Sequence, residues 1–167
     1  KACFPSKSLV VVGNFPYNIS SQILFKCLAH RTEITGIVGM FQKEVAQRIC
    51  EKPGSRQYGI LSVLMQAFYE VEYGFTIKPG AFNPPPKVDS AVIHCKRKAK
   101  FHLDCDEDLF FRVVKMAFNQ RRKILRNSLK SLMEEKDLPE ALAMSRPEQL
   151  DVEAFVLLTT IIERANE

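Results

Sequence analysis

Ser8-Leu9-Val10-Val11-Val12-Gly13-Asn14-Phe15-Pro16-Tyr17 is the stretch whose reading decides the fold. Its first part is a short continuous apolar run, the pattern of a buried strand. Pro16 lacks a backbone N–H and has a fixed φ, so the chain must turn there. A helix is expected from Ser20 or Ser21, both good N-cap types, with Ile23, Leu24 and Cys27 or Leu28 on one face. An amide and an aromatic ring are thereby placed at the carboxyl end of a strand, where open α/β sheets bind ligands.

Working outward, Ile34 to Phe41 reads as a second buried strand. Strand–helix–strand with two apolar strands implies a parallel pair with a right-handed crossover. Gln42 to Ile49 reads as a helix that stops at the loop Pro53-Gly54-Ser55. Tyr58, Leu61, Met65 and Phe68 recur at helical spacing. The period then changes: Tyr69, Val71, Tyr73, Phe75 and Ile77 alternate with Glu70, Glu72, Gly74 and Thr76, as in a strand with one covered face. Four prolines within residues 79–86 make a stiff loop. Val88 to Cys95 is a further strand, so an antiparallel pair is expected at the sheet edge, where proline is tolerated.

Lys96-Arg97-Lys98-Ala99-Lys100 marks a boundary between an α/β domain, residues 1–100, and a small all-α domain, residues 101–167. In the second, Phe110, Val113 or Val114 and Ala117 or Phe118 form one helical face. Leu125, Leu129, Leu132 and Met133 form another, and Val152 to Ile162 a last buried helix capped by Asp151.

With 167 residues, 46% hydrophobic and 26% charged, the chain has the make-up of an ordinary soluble globular protein. No apolar run approaches the ~18 residues of a membrane span, and no signal peptide is visible. A cytoplasmic protein is expected, acting as a monomer without membrane contact. The start at Lys1, without a methionine and almost directly on a strand, suggests a piece of a longer protein. The five cysteines are odd in number, widely spaced and form no C-x-x-C, so reduced thiols are expected. The three histidines form no metal-ligand pattern, and no metal is expected.

Charge is unevenly spread. Residues 1–100 carry a net +8 and residues 101–167 a net −3, yet residues 112–130 hold seven basic residues and no acidic one. Such a block is either a solvated helix face or a contact for a polyanion. On a continuous helix Asn119, Arg122, Lys123, Arg126 and Lys130 would share one face, opposite Leu125, Leu129 and Leu132. The predominance of arginine favours phosphate.

Asn14-Phe15-Pro16-Tyr17 can be a plain turn, since Asn and Pro are common turn residues. It also has the chemistry to handle an exocyclic amine on a base, whose lone pair is delocalised into the ring. The Asn14 amide oxygen and the Pro16 carbonyl can accept its two N–H groups, favouring a tetrahedral nitrogen with an aimed lone pair. Tyr17 offers a stacking face, and no general base is needed. The base must lie outside a helix. Phe82, on the proline-rich loop, is either an edge aromatic or the ring over the base's other face. Lys87 could meet phosphate.

Three segments together, Asn14 to Ser20, Phe82 with Pro84-Pro85-Pro86-Lys87-Val88-Asp89-Ser90-Ala91-Val92, and Phe118 to Leu129, resemble the signatures of the small-subunit rRNA adenine N6,N6-dimethyltransferases. They occur in the family's order and spacing over nearly the whole chain. The resemblance implies the C-terminal half of a Rossmann-like methyltransferase sheet, parallel strands plus an antiparallel edge pair, followed by a helical domain. It implies S-adenosylmethionine as donor and two adjacent adenines of small-subunit rRNA, within the pre-ribosomal small subunit, as substrate. Asn14, Pro16, Tyr17 and Phe82 are then the catalytic set, Asn14 also touching the donor, with Lys87, Arg121, Arg122, Lys123 and Arg126 on the RNA. Phe15 stands where the family usually has leucine.

The Gly-rich donor loop and its following acid are not found in residues 1–167. The chain alone is therefore expected to be inactive and to bind S-adenosylmethionine poorly. Two other readings are a ribosome-assembly factor acting mainly by binding RNA, and an antibiotic-resistance dimethyltransferase of large-subunit rRNA. The first motif suits the latter equally; the segments around Lys87 and Arg122 favour the small-subunit group.

Overall fold

The computed structural model describes residues 8–132 and 138–166. It divides into two compact units: the described part of Lys1–Cys50 with Phe68–Phe101, and Glu51–Ala67 with the described part of His102–Glu167. The segment 51–67, which precedes the second pair of strands in the chain, thus clusters with the C-terminal helices.

The first unit is built on a four-stranded sheet of order β1-β2-β4-β3, from β1 (Leu9–Asn14), β2 (Ile34–Gln42), β3 (Tyr69–Ile77) and β4 (Ser90–Arg97). β1 and β2 are parallel and joined through helix α1 (Ser20–Ala29); β4 runs antiparallel to both β2 and β3. This is the mixed α/β sheet expected from the sequence. Helix α2 (Lys43–Cys50) follows β2 directly. Ile37, Phe41, Ala91 and Ile93 share one sheet face by register and are fully buried. Cys27 of α1 and Cys50 of α2 both act on the Cys95 thiol, which burial above all pushes up to about 12.

The other face differs from expectation. The apolar run of β1 reads as a buried strand, but among the described residues only one of its faces is covered, with Val10 and Val12 60% and 71% exposed on the other. β1 is an edge strand among the described residues, and its inward positions alternate with these outward ones. The alternation of β3 also breaks. Tyr73 pairs with Ile93 and Phe75 with Val92, so Gly74 is an extra residue and Phe75 turns to the face opposite Tyr73. A Cβ at Gly74 would stand 3.0 Å from the Val92 carbonyl oxygen, which suits this bulge to glycine.

Helix α1 does begin at Ser20, but the serine is inside the helix instead of capping it. Ile19 is the N-cap residue, and Ser20 Oγ donates to the Tyr17 carbonyl at 3.1 Å. Leu24, Cys27 and Leu28 are buried as their spacing predicts. Arg97 closes the far end of β4 by donating from one nitrogen to the carbonyls of Arg31 (2.7 Å) and Thr32 (2.6 Å).

In the second unit, α3 (Ile60–Phe68) precedes β3 in the chain, and α4 (Glu107–Asn119), α5 (Leu125–Ser128), α6 (Glu140–Ala143) and α7 (Val152–Ala165) make up its C-terminal part. Asp106 caps α4 by accepting the Leu109 N–H at 2.7 Å, and Asp151 caps α7 by accepting that of Ala154 at 2.8 Å. Phe110, Val113, Val114 and Ala117 are buried, as are Phe155, Leu158 and Ile162. Phe118 stacks on Phe155 with centroids 5.9 Å apart and meets Tyr58 edge-on at 6.2 Å.

The continuous basic helix is not formed. α4 ends at Asn119, residues 120–124 form a turn closed by Lys123 N–H to the Gln120 carbonyl (2.7 Å), and α5 is one short helix. The turn re-aims the chain so that Leu125 and Leu129 are still buried. Both belong to α5, Leu125 as its first residue and Leu129 as its C-cap. Met133 of the expected face lies outside the described residues.

Candidate active site

The site is assembled at the carboxyl end of β1. Asn14 is the last strand residue, paired in register with Met40 of β2 and exposed to solvent. Phe15 continues the ladder by one bond, its N–H reaching the Met40 carbonyl at 3.3 Å. Its ring then folds onto the sheet. A Cβ at Gly13 would lie 2.8 Å from that ring, and one at Gly39 would lie 2.5 Å away. The two glycines leave the trough in which Phe15 sits, 8% exposed, edge-on to Phe41 with centroids 5.3 Å apart. Burial of such a ring contributes about 1.5–3 kcal/mol. It also fixes the backbone on either side, and hence the Asn14 amide and the Pro16 carbonyl.

Pro16 turns the chain. Its carbonyl accepts the Ile19 N–H at 3.1 Å, and one lone pair stays available for a second donor. Tyr17 is half-buried, and its hydroxyl lies 2.5 Å from Ser90 Oγ at the start of β4. Phe82 follows the short 3₁₀ turn Pro79–Ala81, its N–H bonded to the Pro79 carbonyl at 3.1 Å.

Asn14, Phe15, Pro16, Tyr17 and Phe82 line one open cavity of about 210 Å³, together with Met40, Pro84 and Pro86. The structure thus brings together the four residues that the sequence singled out for chemistry, although Tyr17 and Phe82 are far apart in the chain. Met40, Pro84, Pro86 and Ser90 were not singled out individually. Met40 could have been found from the register of two parallel strands, since it faces Asn14.

The proline-rich loop is anchored at its two ends. Asp89 accepts from Lys78 Nζ at 2.8 Å and from Lys43 Nζ at 3.4 Å, and its carbonyl accepts the Lys43 N–H at 2.9 Å. The hydrogen bond from Lys78, aided by Lys43, holds the Asp89 carboxyl below its ordinary value despite an opposing desolvation. Lys87 is exposed and is not among the cavity's lining residues.

The basic residues of 121–126 belong to the second unit and differ among themselves. Arg121 donates to the Ser55 carbonyl at 3.1 Å and faces Glu148 at 3.8 Å. Arg122 and Lys123 are exposed on the turn; Arg126 is half-buried on α5. Among the described residues no cluster of three or more His, Cys, Asp or Glu could hold a metal ion.

A strand-end amide, a proline turn and two aromatic rings thus surround one cavity. Residues 3–163 match the model of the family described as ribosomal RNA adenine dimethylase. A protein of Flavobacterium johnsoniae named ribosomal RNA small subunit methyltransferase A is 56% identical over 161 residues, 96% of this chain and 62% of that protein. One of the same name from Bacteroides thetaiotaomicron is 56% identical over 165 residues, 97% and 61%. Among solved structures, a dimethyladenosine transferase from Plasmodium falciparum superposes with TM-score 0.83 at 26% identity, over 99% of this chain and 70% of that one. A 23S rRNA methyltransferase gives TM-score 0.64 at 25% identity, over 99% and 68%.

The chain belongs to the ribosomal RNA adenine dimethylase family. It spans about three fifths of the length of the curated relatives quoted, 62% and 61%.

Proposed function

We propose that this chain carries the acceptor side of an S-adenosylmethionine-dependent enzyme that dimethylates N6 of two adjacent adenines in small-subunit rRNA during ribosome assembly. The observation that carries this reading is the single cavity shared by Asn14, Pro16, Tyr17 and Phe82. The names and identities of the bacterial relatives support the small subunit as target. The higher TM-score to the dimethyladenosine transferase than to the 23S rRNA enzyme points the same way.

In this reading, residues 1–100 supply part of the methyltransferase domain and residues 101–167 a helical domain that grips RNA. The Asn14 amide oxygen accepts one N–H of the adenine amine. The Pro16 carbonyl, already holding the Ile19 N–H, accepts the other on its second lone pair. Two acceptors placed off the ring plane favour a tetrahedral nitrogen, and the Tyr17 and Phe82 rings hold the base between them. After one methylation a single N–H remains for these two acceptors, so the open side of the cavity must take a substituted amine.

S-adenosylmethionine, when bound, supplies an electrophilic methyl group. The residues present fit it at one point: the exposed Asn14 amide at a strand end can receive the donor's methionine end, as well as the base. A Gly-rich loop and ribose-binding acid are not found in these 167 residues, so tight donor binding is not expected of them alone. Lys87 and, in the second unit, Arg122, Lys123 and Arg126 contact phosphate, while Arg121 is held by Ser55 and Glu148. A cytoplasmic monomer acting on immature small subunits completes the proposal. Among the described residues no helix is long and apolar enough to cross a membrane.

The test is to incubate the full-length protein, labelled donor and either immature small subunits or large-subunit rRNA, and to digest the product for mass spectrometry. N6,N6-dimethyladenosine at two adjacent adenines of the small subunit is expected. Label on a single large-subunit adenine would contradict the reading.

A further inference from the structure

Ser90 has no part in the acceptor chemistry just described, yet it is fully buried beside it. As the first residue of β4 it pairs with Gln42 on one side and Ile77 on the other. Its backbone is therefore held between two strands. Its Oγ lies 2.5 Å from the Tyr17 hydroxyl, a contact between residues 73 apart in the chain. That is the short end of the O–H···O range. A buried serine hydroxyl needs a partner, and this one is given the phenol of a cavity-lining ring.

We propose that Ser90 is a positioning residue: its hydroxyl holds the Tyr17 ring by its far end and so sets the plane on which the base stacks. The physical reason lies in the torsions of tyrosine. The rotation of a phenol ring about its Cβ–Cγ bond is broad and only weakly confined by its own rotamer. Tyr17 is half-buried, with one side toward the cavity, so packing alone confines it incompletely. The phenol oxygen lies on the Cβ–Cγ axis, so a hydrogen bond there, to a strand residue that cannot shift, fixes the swing of the ring about Cα–Cβ, and the in-plane preference of the phenol O–H and lone pairs biases its plane. It also ties the phenol oxygen to Ser90, whichever of the two hydroxyls donates. Asp89, the preceding residue, is bound to Lys78 just before the Phe82 turn. One dipeptide of β4 and its approach thus ties down the supports of both rings.

The inference rests on the reading of the cavity as an adenine site. It is tested in the full-length protein with Ser90→Ala, Tyr17→Phe and the double variant. Each removes the same hydrogen bond. Each single variant is expected to lower the methyl-transfer rate at saturating rRNA by roughly tenfold, the worth of one such bond, with KM for rRNA within about twofold of wild type. The double variant is expected to be no slower than either single one, because the second change removes nothing more. Wild-type rates in Ser90→Ala, or losses that multiply in the double variant, would overturn the proposal. Tyr17→Phe changes only a hydroxyl, so a folding defect of Ser90→Ala alone cannot produce this pattern. The χ1 rotamer distribution of ¹³C-labelled Tyr17, read from three-bond couplings, needs no methyl transfer. Rotamer averaging in Ser90→Ala upholds the anchor and an unchanged single rotamer overturns it. Should the wild-type protein methylate no adenine, it is the cavity's assignment that fails, and the rotamer measurement still decides the role of Ser90.

Discussion

The ring of Phe15 lies directly on the bare Cα of Gly39, so close that a Cβ there would stand 2.5 Å from the ring. Two features of sequence that look independent, a phenylalanine in a turn and a glycine in the next strand, are one packing unit. The unit fixes the backbone that aims Asn14 on one side and Pro16 on the other.

Gly39→Ala is therefore expected to destabilise the protein by about 1–3 kcal/mol, the usual cost of overpacking a filled site. Phe41 also crowds the same point at 2.6 Å, so the added methyl has no free direction. Phe15→Leu in the Gly39→Ala background should recover part of the loss, because the smaller side chain vacates the space. Urea unfolding of the single and double variants measures both effects.

Arg121 and its neighbours should separate cleanly. Arg121 is committed to the Ser55 carbonyl and Glu148, so Arg121→Ala is expected to cost about 1–2 kcal/mol of stability. Arg122→Glu with Lys123→Glu alters exposed positions and should leave stability within about 0.5 kcal/mol. If those two side chains meet phosphate, RNA affinity falls and the slope of log K against log salt shrinks by roughly two. Thermal melts and salt-dependent binding of an rRNA fragment distinguish the two roles.

Asp89 gives a pH signature. Its folded-state pKa is depressed below the ordinary 3.8 by Lys78 first and also by Lys43. A depressed carboxylate contributes stability that is complete above the unfolded pKa and is lost as pH falls through the folded one. Asp89→Asn should accordingly be less stable than wild type at neutral pH, and the difference should close below the ordinary carboxylate range. Paired denaturation curves from pH 7 down to about pH 2 check this.

Much of the architecture was legible because it rests on local pattern. The run ending at Pro16, the Asp151 cap and the apolar spacing of α4 and α7 each carry their own signal within a few residues. What could not be read depends on distant partners. Val10 and Val12 are exposed because their face of β1 is left uncovered among the described residues, which local composition does not encode. The outward turn of Phe75 follows from a one-residue bulge that the period-two pattern conceals. The break at residues 120–124 lies in a segment without glycine or proline, where helical spacing continues on paper while the chain turns. At the site, Asn14 and Pro16 are neighbours in sequence, but the Tyr17–Ser90 contact spans 73 residues and only the sheet register brings it about.

In the proposed reading, Asn14 holds the acceptor amine in the geometry of transfer. This role is tested most directly by supplying cells that lack the endogenous enzyme with the full-length protein carrying Asn14→Ala, then assaying the small-subunit rRNA for dimethyladenosine by mass spectrometry. Loss of a preorganised polar partner of this kind costs about 10²–10³ in rate. The account expects the two adjacent adenines to stay essentially unmethylated, while the variant still binds the immature small subunit as wild type does. Dimethylation at the wild-type level by Asn14→Ala protein would contradict it.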